Sequence, residues 1–272
     1  MIKIMLYTRK GGVGKTSTTV NLGAALAKFE NKKVLILDID PQVNTVTYLL
    51  KNEGFTPEHT LDEYIKTRDL EHPEKYIHQV KFTTGKKLMQ KTIETDMFVI
   101  PATRGIDTAS FGESEFYVLK ELLNQFESQF DYCLIDCPAN ASDLVMNALV
   151  CSDYLLVPCT AETDSINGYD MVLDEYNMPQ QNGLNSKLAI LGVLLNNVDG
   201  RRGLEKYLQS ELKMGLEDVV FSSYIRRASE IDKAKFDGIP VPYYMPSCPV
   251  ARDYGNVTKE IIKRTFLSKR GE

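Results

Sequence analysis

Apolar residues fall along this chain in short, nearly unbroken runs, separated by stretches in which they recur with a helical period. The runs cover residues 2–7, 34–37, 97–101, 132–135, 154–158, 188–195 and 219–222. A strand with one wet face alternates apolar and polar residues, whereas a strand covered on both faces is apolar throughout. The runs therefore predict a mostly parallel, buried sheet. Helical patterns fall at 16–29, 60–66, 106–129, 142–151, 165–177, 203–214, 229–236 and 251–267. Their alternation with the strands predicts a doubly wound α/β fold with its ligand at the carboxyl ends of the strands. Residues 53–95 break the rhythm. They are polar and rich in Lys, Glu and His, and short helices with a hairpin on the rim are expected there. The three histidines, His59, His72 and His78, lack metal-ligand spacing and are expected at the surface.

Between the first strand and the first helix stands Lys10-Gly11-Gly12-Val13-Gly14-Lys15-Thr16, followed by Ser17. Glycines let the backbone curl so that its N–H groups point inward at oxygen atoms. A helix N-terminus adds free donors and the positive end of its dipole, so the segment is built to hold phosphate. The ordinary P-loop pattern fails, because Arg9 occupies its first glycine position. A second lysine, Lys10, stands five residues before Lys15. As residues alone, Lys10 is either a solvated charge beside a turn or a second phosphate-directed cation.

Residues 34–42 read VLILDIDPQ, a strand that ends in two acids at alternate positions. Asp-Pro often starts a turn, which accounts for Asp40 but not for Asp38 on the apolar strand. Hydrolysis of a phosphoanhydride needs a group that orients water, and Asp40 is the candidate; Asp38 supports magnesium from behind. Residues 131–140 read DYCLIDCPAN, so a second strand runs into Asp136. That carboxylate suits a magnesium-bound water while the Thr16 hydroxyl serves as a direct metal ligand. Asn196 and Asn197 end another apolar run. Each is either a turn residue or a donor-and-acceptor pair for a purine edge.

KGGVGKT is a deviant Walker A motif, and the chain resembles the ParA/MinD/nitrogenase-iron-protein group of dimeric ATPases. The resemblance implies ATP and Mg²⁺ as cofactors and a nucleotide-dependent homodimer in which Lys10 reaches the partner's nucleotide, comparable to an arginine finger. It also implies that the DxDPQ element puts the water-orienting aspartate at Asp40 and that Asn196 or Asn197 approaches the adenine. The family usually has a second proline where Ala139 stands, a difference of loop stiffness and not of charge. Residues 225–262 resemble the ParA-type tail: an arginine, Ser-Glu, a helix, Gly-hydrophobic-Pro-Val, a Tyr/Pro segment and a last helix. In ParA-type ATPases basic residues on this edge bind DNA without sequence preference. Arg227 matches best, with Arg201, Arg202 and Arg226 as further candidates. The implied partners are nonspecific DNA and a centromere-binding ParB-type adaptor that stimulates hydrolysis, in a cytoplasmic protein that joins the nucleoid when ATP-bound. Only nine residues precede the motif, so the short form without an N-terminal helix-turn-helix is expected.

Bulk composition adds limits. The 272 residues carry no linker, repeat or low-complexity stretch, so a single domain spanning 1–272 is expected. No apolar run is long enough to span a bilayer, and no stable membrane association is expected. The five cysteines, Cys133, Cys137, Cys151, Cys159 and Cys248, are expected as reduced thiols. Net charge is −5, with 14 Lys/Arg against 10 Asp/Glu after residue 200 and 18 against 27 before it. A basic C-terminal portion on an acidic protein suits a local anionic partner. Two rivals stay open. The basic, mildly amphipathic 258–269 segment suits a MinD-like membrane-cycling ATPase. A nucleotide-gated scaffold of a conjugation or polysaccharide system is the other, against which the intact Asp38, Asp40 and Asp136 argue.

Overall fold

The structure, a computed structural model, describes residues 1–51, 57–84, 91–108, 111, 115–161, 165–199, 216 and 219–270. Seven strands form one sheet: β1 (Ile2–Leu6), β2 (Val34–Asp38), β3 (His78–Thr84), β4 (Lys91–Ile100), β5 (Tyr132–Asp136), β6 (Tyr154–Thr160) and β7 (Ala189–Asn196). Their spatial order is β3-β4-β2-β5-β1-β6-β7. Only the β3–β4 pair is antiparallel; every other neighbouring pair is parallel. The doubly wound α/β fold expected from the apolar runs is therefore present, and the expected rim hairpin is β3–β4.

Alternate residues of each central strand enter opposite cores, which is why these strands are apolar throughout. Met5, Leu35, Leu37, Cys133, Ile135, Leu155 and Val157 pack in one core. That layer is completed by α3 (Leu61–Thr67), α4 (Val118–Asn124), α5 (Asp143–Cys151) and α6 (Ser165–Gln181). Ile4, Leu6, Val34, Ile36, Leu134 and Leu156 pack in the other, against α1 (Lys15–Glu30), α2 (Asn44–Leu50), α7 (Ser229–Asp237), α8 (Val241–Tyr244) and α9 (Pro249–Arg270). Truncating one of these side chains to Ala is expected to cost about 2–5 kcal/mol through lost burial and the cavity left behind.

Three expectations change. Residues 219–222 form no strand; Val220 makes a single bridge to Val193. The segment still runs beside β7, with Phe221 N donating to Val193 O (2.9 Å), and the Arg264 guanidinium donates to Leu191 O (3.0 Å) and Val220 O (3.0 Å) and lies 4.2 Å from the Phe221 ring centroid. The 106–129 pattern resolves into a 3₁₀ turn (Arg104–Thr108) and the shorter α4. Helix α2 was not anticipated. The 203–214 pattern lies outside the described residues. His59 and His78 are half-buried, with His78 Nε2 3.1 Å from His59 O, and His72 is exposed. Cys133, Cys137, Cys151 and Cys159 are buried free thiols, and Cys248 is half-buried.

Candidate functional site

Strands β2, β5 and β1 are adjacent, and their carboxyl ends stop at one level: Asp38 is in register with Asp136, and Asp136 with Leu6. The topology thus delivers both acids and the glycine-rich loop, which follows β1, to one edge. Gly12 and Gly14 adopt left-handed conformations, φ 75° and 87°, which lets the loop turn sharply into α1. Gly14 is also a point of close approach, since a Cβ there would lie 2.6 Å from Asn196 Nδ2. Helix α1 begins at Lys15 with no acidic residue in its first turn and no side-chain cap, so its first N–H groups remain available to an anion.

Lys15 is 8 % exposed, and its ammonium donates to Thr8 O (3.3 Å) and Lys10 O (3.4 Å). Burial lowers its pKa, and the nearby Asp136 opposes that shift. Asp136 is fully buried and accepts from Thr45 Oγ1 (2.7 Å) and Thr19 Oγ1 (3.2 Å), with the Thr16 hydroxyl beside it. Burial pushes its carboxyl up to about 6 despite those donors. Asp38, also fully buried, is raised well above the usual carboxylate range by burial and by Asp136. It accepts from the backbone N–H groups of Asp40 (3.1 Å) and Val46 (3.2 Å). Asp40 is half-buried; its Oδ1 accepts from Gln42 N (2.9 Å), closing the turn that starts α2. Thr45 escaped the sequence reading. A polar side chain at the head of an unrecognised helix carries no signal until the fold sets it against an acid 91 residues away.

Thr16, Asp136 and Asp38 are hard oxygen donors of the kind Mg²⁺ prefers. Among the described residues no group of three or more His, Cys, Asp or Glu could hold a metal ion by itself. The set therefore fits an ion whose remaining ligands are phosphate oxygens and water, and not a protein-only cage.

Asn196 and Asn197 part company. The Asn196 amide is buried and donates to Val13 O (2.7 Å) and Thr18 Oγ1 (3.0 Å), while its oxygen accepts from Asn197 N (2.9 Å). Its two donors are engaged by the loop and by α1, while Asn196 lines the cavity beside the loop. Asn197, left-handed at φ 58°, is exposed and lines a cavity of about 510 Å³ with Gly12, Gly14, Ser17, Arg227 and Asp232. Gly11 is exposed at the loop tip and Lys10 is half-buried.

Of the four arginines, Arg201 and Arg202 lie outside the described residues. Arg226 is held by Asp253 in a bidentate pair, Nε–Oδ2 2.5 Å and Nη2–Oδ1 2.7 Å. Arg227 is exposed, anchored through its backbone N–H to Val198 O (2.9 Å). It lines the nucleotide-sized cavity and an outer one of about 590 Å³ bounded by Tyr224 and Arg226. No helix among the described residues is long and apolar enough to cross a membrane.

The AAA_31 family, an AAA domain, matches residues 1–190. The sporulation initiation inhibitor protein Soj of Bacillus subtilis is 33% identical over 262 residues, 95% of this chain and 97% of that protein. The chromosome-partitioning ATPase Soj of Treponema pallidum is 30% identical over 266 residues, 96% of this chain and 97% of that protein. An ATP complex of McdA from Cyanothece shares the fold, with a TM-score of 0.77 and 23% identity over 97% of this chain and 96% of that one. With the deviant loop, the two buried acids and similarity along nearly its whole length, the chain belongs to the Soj/ParA family of P-loop ATPases.

Proposed function

We propose that this chain is a Mg²⁺-ATP-dependent partition ATPase, a single domain over 1–272 that acts on DNA as a nucleotide-driven homodimer. The observation that carries the reading is the meeting of Lys15, Thr16 and the buried pair Asp38–Asp136 at the mouth of the glycine-rich loop. The names of the Soj relatives support partition as the process. Gly11, Gly12, Val13, Gly14 and Ser17 offer backbone and hydroxyl donors to the phosphates. The Lys15 ammonium exchanges the carbonyls of Thr8 and Lys10 for β/γ oxygens, and Asn197 stands at the base end of the cavity. Thr16 and Asp136, with Asp38 behind, would hold Mg²⁺, which would supply positive charge at the phosphate oxygens. Asp40 accepts a hydrogen bond from the attacking water and orients it, while Lys10 of one protomer neutralises charge at the nucleotide of the other.

Exposed Arg227 contacts DNA phosphates, with Arg226 and the arginines at 201 and 202 as supplementary cations. A few such contacts per protomer give weak, salt-sensitive binding, and dimerisation doubles them, so ATP can switch DNA affinity. Stimulation of hydrolysis by a ParB-type adaptor then releases the DNA. This cycle belongs to the cytoplasm and the nucleoid.

Two variants test the scheme. Lys15→Ala is expected to lose ATP-dependent dimerisation, and undiminished dimerisation would sink it. Asp40→Ala is expected to dimerise and bind DNA with ATP but to hydrolyse slowly, and normal turnover would remove its water-orienting role. One observation favours a second reading: Phe266 and Leu267 on α9 are 54% and 55% exposed beside Lys263, as on a membrane-docking helix. ATP-dependent sedimentation with anionic vesicles would select that reading.

A further inference from the structure

The residue that breaks the ordinary P-loop pattern, Arg9, is tied to the body of the protein. Its Nη1 donates to Glu175 Oε1 at 2.7 Å, and the partner sits in the middle of α6, 166 residues away. The Glu175 side chain is 10 % exposed and that of Arg9 37 %. A carboxylate so far removed from water is retained only against a specific cation. The Tyr7 hydroxyl faces the same carboxylate without a well-formed hydrogen bond to it; burial first, and Glu175 next, hold Tyr7 well above the ordinary tyrosine range.

The bridge lies between the two carbonyls that grip Lys15. Thr8 O and Lys10 O both accept from the Lys15 ammonium, and the Arg9 side chain, from the residue between them, is fixed to α6. Residues 8–10 are therefore held from two sides, by Lys15 and by Glu175. When a phosphate takes the Lys15 ammonium, the Arg9–Glu175 bridge still ties this backbone to α6. The same backbone carries Lys10.

We propose that Glu175 is a positioning residue for Lys10, acting through Arg9: it holds the start of the loop so that Lys10 is presented in one direction once nucleotide has drawn Lys15 away. This rests on the reading of the loop as an ATP site with Lys10 in action. Glu175 meets the loop through the Arg9 side chain, so it should affect turnover without setting nucleotide affinity.

The test is a double-mutant cycle on the full chain, with steady-state ATP turnover and equilibrium binding of a fluorescent ATP analogue as the two readouts. Glu175→Gln is expected to lower kcat roughly tenfold, the size of loss that a small misplacement of a charge-stabilising group produces. Analogue Kd should stay within about twofold, because the loop donors and Lys15 remain. In a Lys10→Ala background Glu175→Gln should lower kcat no further, since the group it positions is gone. Unchanged kcat in Glu175→Gln, a further fall in the double variant, or parallel loss of analogue binding would each overturn the proposal. Arg9→Gln repeats the cycle from the more exposed end, so poor folding of Glu175→Gln does not end the test. A wild-type protein that neither binds the analogue nor turns over ATP would remove the ATP reading itself. An indifferent Glu175→Gln in an active enzyme would remove only the positioning role.

Discussion

Asp38 and Asp136 stand at the same register of neighbouring strands, both fully buried, so two carboxylates share one dry volume. Burial raises both; repulsion from Asp136 adds to the rise of Asp38, and repulsion from Asp40 to that of Asp136, which reaches about 6. The folded protein therefore holds protons that the unfolded chain, with ordinary carboxyls, has already lost. Through Asp136 alone, metal-free stability should fall as pH rises from about 4 to 6, by an amount on the order of 3 kcal/mol for a two-unit shift, and Asp38 adds a loss of the same sign. Asp136→Asn removes the share of the titration that belongs to Asp136 and leaves the burial of Asp38. Without Mg²⁺ or nucleotide, its thermal midpoint should exceed that of the wild type at pH 8, and the gap should close by pH 4. A gap independent of pH would show that the pair carries no excess proton.

Thr45 sets how far that burden can be relieved, because its hydroxyl is the first of the donors that lower the Asp136 pKa. A hydrogen bond to a charged group contributes about 1.5–3 kcal/mol, so Thr45→Val should raise the Asp136 pKa by roughly one to two units. Protons then compete with Mg²⁺ at higher pH. The midpoint of Mg²⁺-dependent nucleotide binding against pH should move upward in Thr45→Val, while binding at pH 9 stays near wild type. A midpoint that does not move would separate Thr45 from the acid.

Gly14 is constrained twice, by a left-handed φ of 87° and by Asn196 Nδ2 at 2.6 Å from any added Cβ. The backbone conformation alone costs a non-glycine residue about 1–2 kcal/mol. Relief of the clash would break the Asn196 bonds to Val13 O and Thr18 Oγ1, each contributing roughly 0.5–1.5 kcal/mol. Gly14→Ala should therefore lower stability by about 2–5 kcal/mol and abolish nucleotide binding. Adding Asn196→Ala should restore part of the stability, because the obstruction is gone. Full additivity of the two losses in chemical denaturation would contradict a shared contact.

What could be read in the chain and what could not divides along sequence distance. Runs such as 34–37 and 132–135 predict buried parallel strands because each residue faces one of two cores, and period alone records that. The loop from Lys10 to Thr16 is legible because its chemistry is contiguous. Thr45, Glu175 and Arg264 are not legible, since each acts on a group far along the chain, Asp136, Arg9 and Leu191 O. The strand expected at 219–222 stops at one bridge for the same reason: Phe221 N donates to Val193 O, but Arg264, brought in by α9, takes Leu191 O and Val220 O. Asn196 shows the limit within the site. A strand-end amide suits a purine edge, yet the loop and α1 each engage one of its donors.

Arg226 and Arg227 adjoin in sequence but differ in freedom, which gives the DNA reading a sharp comparison. Arg226 is committed to Asp253 through two short bonds, whereas the exposed Arg227 lines two cavities. Neutralising one phosphate per protomer changes the slope of log K against log salt by about 0.9, so Arg227→Ala in a dimer should reduce it by nearly 2. Arg226→Ala should instead leave Asp253, 8% exposed at its side chain, without its cation, and should show mainly as a lower thermal midpoint. Nucleotide affinity is the control, because Arg227 also borders the cavity beside the loop. A lowered salt slope with unchanged affinity for an ATP analogue assigns Arg227 to DNA. A weakened analogue with an unchanged slope assigns it to the nucleotide and moves the DNA contact elsewhere on this edge.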